Sequence, residues 1–155
     1  MIRLLALDID GVLTDGSVLL DEDGRESKTL FYRDLDALTA ARNAGIQVVL
    51  VSAEATPLAN VIARRLGVED AYTGAKDKLA TLRAAAEAAT VQLSETCYVA
   101  DAPRDVAALE AAGLGLAPAD AAPEAVAAAD RVLTRAGGRG AVAEAVGIIL
   151  ASLEP

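Results

Sequence analysis

The sequence predicts an α/β fold in which helices wrap a doubly wound parallel sheet. Apolar runs of strand length alternate with helical patterns from one end of the chain to the other, as expected for successive βα units. The composition is 54% hydrophobic but only 3% aromatic, so the core must consist mainly of Ala, Val, Leu and Ile. Neither a linker nor an internal repeat interrupts the pattern, and we expect residues 1–155 to form a single Rossmann-like domain.

The first third of the chain predicts a strand, a hairpin and a helix. The strand covers residues 2–7. Residues 17–32 hold two short extended runs around the acidic turn at residues 21–24, which predicts a β-hairpin inserted after the first strand. Asp34 is expected to cap the helix that follows, and Gly45 to end it.

The rest of the chain alternates strands and helices. Four of the predicted helices start at a Pro or an Asp, which are common at helix N-termini. The predicted strands are residues 46–51, 71–72, 96–100, 114–117 and 131–134, and the predicted helices are residues 57–66, 77–89 and 103–112, a short helix after Pro123 and a last helix from Gly140.

The charge and the missing residue types exclude several classes of function. With a formal net charge of −9, the chain lacks the clustered Lys and Arg that bind phosphate backbones, so we expect no nucleic-acid partner. The absence of histidine excludes a Ser-His-Asp triad and a His-ligated zinc. The single cysteine, Cys97, excludes an intramolecular disulfide and favours a cytoplasmic location. No apolar stretch is long enough to predict a membrane span.

Polar side chains follow the predicted strands at the points where the strands end. In open parallel sheets, ligands bind beyond the carboxyl ends of the strands. We therefore expect residues from distant parts of the chain to meet at this edge. They are Asp8 and Asp10 after the first strand, Ser52 after the second, Lys76 and Lys78 after the third, and Asp101 and Asp105 after the fourth.

This set of side chains predicts a site for a phosphoryl group. The carboxylates of Asp8, Asp10 and Asp101 would repel one another unless a cation neutralised them, and oxygen ligands favour a hard ion such as Mg²⁺. Asp8 would attack phosphorus and form an aspartyl phosphate. Asp10, where the chain bends at Gly11, would protonate the leaving alcohol and then activate water.

The motifs resemble those of the haloacid dehalogenase (HAD) superfamily of phosphohydrolases. DIDGVLTDG from Asp8 is similar to the first motif, and Ser52, Lys78 and Asp101 follow in the family's order. The hairpin, KDKL, the ADA at residues 119–121 and the terminal GGRGAV resemble the capless subclass that dephosphorylates 3-deoxy-octulosonate 8-phosphate. Phosphatases of nine-carbon, sialic-acid-type 9-phosphates and the C-terminal domain of some acylneuraminate cytidylyltransferases are also similar.

The resemblance implies a Mg²⁺-dependent phosphatase of a phosphorylated acidic keto-sugar, without a cap domain and assembled as a homotetramer through the hairpin. It also implies a role for each matched residue. These roles are Asp8 as nucleophile and metal ligand, Asp10 as general acid/base whose backbone carbonyl binds the metal, Asp101 as metal ligand, and Ser52 and Lys78 as phosphate contacts, with Lys76 competing for the role of Lys78.

Two departures from the family pattern concern the metal site. The family usually has Gly-Asp-Asp after the fourth strand, whereas this chain has Ala100-Asp101-Ala102, and Arg104 stands where Asn is common. A weaker metal site is expected. The departures support a second hypothesis, in which a HAD-like domain with little catalysis serves oligomerisation or partner binding.

Three further residues keep open roles. After Ser52 the eight-carbon enzymes usually carry Gly-Arg, whereas this chain has Ala53-Glu54. A Glu at this position is more similar to the nine-carbon group. Asp105 is expected either to cap or form a salt bridge at the start of its helix, or to contact the residues that bind the ligand without binding it itself. Arg139, in the GGRGAV turn, is expected to reach a neighbouring subunit or an anionic sugar.

Overall fold

Six parallel strands form the central sheet of the structure, a computed structural model that describes residues 1–153. The strands are β1 (Leu4–Leu7), β2 (Leu19–Leu20), β3 (Glu26–Ser27), β4 (Gln47–Val51), β5 (Ala71–Tyr72), β6 (Thr96–Val99), β7 (Leu114–Ala117) and β8 (Arg131–Val132). The helices are α1 (Tyr32–Asn43), α2 (Pro57–Leu66), α3 (Lys78–Ala88), α4 (Val106–Ala111), α5 (Pro123–Ala128) and α6 (Ala141–Ala151).

The order of the strands makes β1 the centre of the sheet. The order is β5-β4-β1-β6-β7-β8, and β2 and β3 pair separately as an antiparallel hairpin. The chain moves outward from β1 to β5 and then crosses to β6 on the other side of β1, which creates a topological switch point. Leu7 lies level with Leu50 of β4 and Val99 of β6, so the ends of these three strands meet at one edge.

Alternate residues of the strands pack into two apolar layers, one on each face of the sheet. Leu5 and Leu7 point to the layer formed with α1, α2 and α6. Leu4 and Ala6 point to the layer formed with α3, α4 and α5. Because side chains alternate along a strand, a sheet covered on both faces needs apolar residues at every position. The predicted doubly wound α/β fold with an inserted hairpin and no cap domain is confirmed.

The predicted element boundaries agree with the structure to within two residues, except at the starts of α1 and α4. The helix expected at residues 103–112 begins as a 3₁₀ turn over Pro103–Asp105 and becomes α-helical only at Val106. None of the helices within residues 1–153 combines the length and the apolar character that crossing a membrane requires.

The prediction that Asp34 caps its own helix is wrong. That helix, α1, begins at Tyr32, so Asp34 lies inside its first turn. Its buried Oδ1 instead accepts a hydrogen bond from the backbone N–H of Ala143, at 2.8 Å, in the first turn of α6. Gly140 at the N-cap of α6 has no side chain to perform this function. Asp34 therefore satisfies a free N–H of a different helix and ties α1 to α6.

The loop after β1 is packed between two other segments of the chain. The Asp101 carboxylate lies on one side of it, and the backbone of the turn at residues 137–140 lies on the other. Gly11 has a φ of 82°, and a Cβ there would overlap the Asp101 carboxylate. A Cβ on Gly137 would overlap the Gly11 carbonyl, and the Gly138 N–H donates to the Val12 carbonyl at 2.9 Å. The expected turn at GGRG is present, and its glycines let it pack directly on this loop.

Replacing Gly137 with Ala should lower the free energy of unfolding by roughly 1–3 kcal/mol, because the new Cβ would displace the Gly11 backbone. Gly147→Ala is the matched control. A Cβ at Gly147, within α6, meets no atom within 4 Å, so this change should stabilise the helix by roughly 0.5–1 kcal/mol. Urea denaturation measures both variants, and a Gly137→Ala protein as stable as the parent would contradict the close approach.

Candidate active site

Asp8 stands at the buried end of the central strand. It directly follows β1 and is only 7% exposed. Its backbone N–H donates to the Val99 carbonyl of β6 at 3.0 Å, and its Oδ1 accepts from the Ile9 N–H at 2.8 Å. The strand pairing and the turn that follows therefore fix both the backbone and one carboxylate oxygen of Asp8.

Lys78 is a buried lysine that faces this carboxylate. It is the first residue of α3, whose N-cap is Asp77, and it is only 2% exposed. Its Nζ lies 3.3 Å from Asp8 Oδ1 and 3.1 Å from Asp105 Oδ1, and donates to the Val51 carbonyl at 3.0 Å. A buried ammonium needs such partners, because desolvation without them is costly.

Lys76, the competing lysine, lies outside the helix and is exposed. Ser52 follows β4, is buried, and its Oγ accepts from the Glu54 N–H at 3.2 Å. Of the two predicted phosphate-binding lysines, the structure thus brings Lys78 to Asp8.

Asp105 is a fully buried member of the site. Its Oδ1 accepts a hydrogen bond from the Tyr98 hydroxyl at 2.8 Å, and its Oδ2 accepts one from the Ala102 N–H at 3.1 Å. One carboxylate oxygen from each of Asp8, Asp101 and Asp105 lies within 4.8 Å of the others. The structure therefore brings Asp105 into the acidic cluster together with two of the three predicted metal ligands.

Burial dominates the electrostatics of this acidic cluster, Asp8, Asp101 and Asp105. Desolvation raises the pKa of Asp8 to about 7; the Lys78 ammonium opposes this rise, and the Asp105 carboxylate adds to it. Desolvation followed by repulsion from Asp105 raises the pKa of Asp101 to about 6. Asp8 and Asp101 therefore resist ionisation, because a carboxylate is poorly solvated where they lie and other negative charges are close to it.

A hard divalent cation fits this acidic cluster. The donors are all oxygen atoms, and a doubly positive ion would offset the burial and the repulsion that raise the pKa values of Asp8 and Asp101. Asp8, Asp101 and Asp105 are the side chains that would hold it. The single carboxylate left in Ala100-Asp101-Ala102 is thus joined by the carboxylate of Asp105.

Asp10 is not part of the acidic cluster and has partners of its own. The turn after β1 places its Oδ1 within 2.7 Å of the Lys28 ammonium and within 3.4 Å of the Thr14 hydroxyl, and both groups donate to it. About a third of the Asp10 side chain is exposed. The structure thus separates two carboxylates that are two residues apart, with Asp8 paired to Lys78 and Asp10 to Lys28.

A cavity of about 180 Å³ opens over Asp8 and Asp10. A second cavity of about 210 Å³ shares Asp10, Gly16 and Glu54 with it and extends to the hairpin residues Glu26 and Lys28. The residues that line the first cavity are Asp8, Asp10, Gly16, Ser52, Ala53, Glu54, Asp101, Ala102 and Arg104.

Arg139, like Lys76, lines neither of these two cavities. It is exposed and lines a separate cavity with Phe31, Arg33 and Arg135, beside the start of α6. Its expected contact with a neighbouring subunit or an anionic sugar stays a prediction.

Three residues that contact the site were not predicted from the sequence. Tyr98 lies within an apolar run, so the sequence gives it the pattern of an ordinary buried strand residue, although its hydroxyl contacts Asp105. Thr14 could have been suspected because it lies inside the DIDGVLTDG motif. Lys28 offered no local signal, since its contact depends on how the hairpin folds back over the loop.

The chain is similar to known proteins in sequence and in fold. A family model described as "Hydrolase: haloacid dehalogenase-like hydrolase" matches residues 22–113. The chain is similar to the 3-deoxy-D-manno-octulosonate 8-phosphate phosphatase KdsC of Escherichia coli (strain K12), with 35% identity over 149 residues that cover 96% of this chain and 79% of the relative.

Solved structures of such phosphatases also superimpose closely. The enzyme from Moraxella catarrhalis, in complex with magnesium ion, phosphate ion and KDO, has a TM-score of 0.93 at 30% identity and is matched over 97% of this chain and 87% of its own. The cobalt-bound phosphatase YrbI from Haemophilus influenzae has a TM-score of 0.93 at 32% identity, and the match covers 97% of this chain and 88% of that structure's chain. By sequence and by fold, the chain belongs to the haloacid dehalogenase-like hydrolase family and is a phosphatase, as its motifs predicted.

Proposed function

We propose that this chain is a Mg²⁺-dependent phosphomonoester hydrolase that acts, through an aspartyl-phosphate intermediate, on a phosphorylated eight- or nine-carbon acidic keto-sugar. The observation that supports it most is the meeting of Asp8, Asp101, Asp105 and Lys78 at the end of β1. This arrangement offers a nucleophile, a place for a cation and a fixed positive charge within a few ångströms.

In the proposed reaction, Asp8 is the nucleophile. One of its oxygens attacks phosphorus, and the ester bond to the sugar breaks. Lys78, 3.3 Å from Asp8, keeps the carboxylate oriented and offsets negative charge as the phosphoryl group arrives. The Ser52 Oγ accepts from the Glu54 N–H, so its own hydroxyl hydrogen is available to a phosphate oxygen.

Asp10 is the proposed general acid and base. It lines the same cavity as Asp8. It would give a proton to the leaving oxygen and then take one from the water that hydrolyses the aspartyl phosphate.

The proposed cofactor is Mg²⁺, held by Asp8, Asp101 and Asp105. When bound, the ion supplies positive charge that neutralises the phosphoryl oxygens. The fit of the acidic cluster supports this choice, and so does the relative from Moraxella catarrhalis, whose structure contains magnesium. The metal role expected of the Asp10 backbone carbonyl remains part of the proposal.

Two observations bear on the substrate. The curated relative from Escherichia coli is named for an eight-carbon ester, 3-deoxy-D-manno-octulosonate 8-phosphate. Glu54, which lines both cavities near Asp10, favours the nine-carbon group. A phosphorylated ulosonic acid is common to both, and a panel of such esters distinguishes the carbon 8 from the carbon 9 phosphate.

The hairpin supports a further part of the proposal, assembly as a homotetramer. Val18, Leu19 and Leu20 are exposed apolar residues on it, and apolar side chains that cluster at a surface favour contact with another protein surface. A location in the cytoplasm completes the proposal.

Asp8→Asn should lower phosphate release from ulosonic acid phosphates by at least about a thousandfold, because an amide is a poor nucleophile for phosphorus. The assay is phosphate release across the ester panel with Mg²⁺, and EDTA should abolish it. Asp36→Asn, a change at an exposed aspartate of α1, is the control and should retain full activity. A fully active Asp8→Asn protein would end this mechanism.

The stabilisation by Mg²⁺ should grow as the pH rises from about 5 to about 8. Burial raises the pKa of Asp8 to about 7 and of Asp101 to about 6, so protons compete with the ion below these values. Without the ion, each raised pKa stabilises the fold at low pH, and that contribution is lost as the pH rises through the folded value.

The measurement is the melting temperature with Mg²⁺ and with EDTA at each pH. Asp101→Asn should reduce the difference between the two conditions and flatten its pH dependence. A difference that stays constant from about pH 5 to about pH 8 would show that these carboxyl groups do not bind the ion.

A further inference from the structure

We propose that Lys28 of the hairpin is a positioning residue that holds Asp10 in place to protonate the leaving oxygen. The inference rests on the proposed function, in which Asp10 is the general acid. It assigns to the hairpin, within the same chain, a part in the reaction that is separate from assembly.

Lys28 is the part of the hairpin that turns inward. Its ammonium donates to Asp10 Oδ1 at 2.7 Å, and only 9% of its side chain is exposed. By contrast, Leu19 is 72% exposed and the Arg25 side chain 76% exposed. An exposed ion pair contributes little and is easily broken, whereas a short and mostly buried charge-assisted hydrogen bond fixes both partners.

The contact determines which oxygen of Asp10 faces the substrate. Oδ1 accepts from Lys28 and also from the Thr14 hydroxyl at 3.4 Å. Thr14 is itself buried, and its Oγ1 accepts from the N–H groups of Gly11 and Gly16 at 3.4 and 3.2 Å. With Oδ1 held by two donors, Oδ2 is the oxygen left to carry the proton to the leaving group.

The charge of Lys28 matches the change that the reaction makes at Asp10. As Asp8 bonds to phosphorus and the phosphorus–oxygen bond to the sugar breaks, Asp10 gives its proton to the sugar oxygen and becomes a carboxylate. The Lys28 ammonium, 2.7 Å away, balances that new charge. Water then attacks phosphorus and passes a proton to Asp10, and the Asp8–phosphorus bond breaks to release phosphate.

The test compares two leaving groups. A sugar alkoxide needs a proton to leave, whereas a nitrophenolate does not, so loss of Asp10 positioning should affect the first far more. In Lys28→Met, kcat/KM for 3-deoxy-octulosonate 8-phosphate should fall about 100-fold and kcat/KM for p-nitrophenyl phosphate less than about fivefold. Lys28→Gln gives the same comparison if the methionine packs poorly.

Two variants serve as controls. Lys28→Arg keeps the positive charge and should restore most of the activity toward the sugar ester. Arg25→Met removes a cation of the same hairpin that pairs with Asp21 and Asp23 at the tip, and should change neither rate. Melting temperatures of all variants are measured alongside.

The outcomes separate this inference from the proposed function. A wild-type protein that hydrolyses neither ester overturns both. A wild-type protein that is active, with Lys28→Met losing the same factor on both esters or on neither, overturns the positioning role alone.

Discussion

The site depends on the burial of like charges at the end of the central strand. Asp8, Asp101 and Asp105 bring carboxylate oxygens within 4.8 Å of one another, and Lys78 contacts two of the three residues. Burial leaves the pKa of Asp8 at about 7 and that of Asp101 at about 6. A divalent cation held there would offset the burial and the repulsion of these carboxylates, and would supply the positive charge that a chain with a net charge of −9 needs to receive a phosphate ester.

The backbone around the first motif holds these charges in place. Gly11 lies against the Asp101 carboxylate, and Gly137 lies against the Gly11 carbonyl, so the loop that carries Asp8 and Asp10 is confined from two sides. The hairpin leaves from this loop and returns with Lys28 at Asp10. Distant segments of the chain therefore share one small volume, and a change in the turn at residues 137–140 should shift the loop that carries Asp8 and Asp10.

The fold and half of the site could be predicted because they follow from local patterns. Asp8, Ser52 and Asp101 are the first polar residues after apolar runs, and parallel pairing places strand ends at one level. The Mg²⁺ cofactor followed from the all-oxygen donor set, and the acidic cluster and a magnesium-containing relative support it. The partner of Asp34 lies 109 residues away, and the partner of Lys28 is set by the fold of the hairpin, so no pattern in the sequence could reveal either contact.

The acidic cluster, Asp8, Asp101 and Asp105, should share one divalent cation. Crystals grown with Mn²⁺ in place of Mg²⁺ allow the ion to be located by anomalous diffraction. One peak is expected about 2.1 Å from an oxygen of each of Asp8, Asp101 and Asp105. A map with no peak there, or with the Asp8 and Asp101 carboxylates turned away from each other, would contradict it.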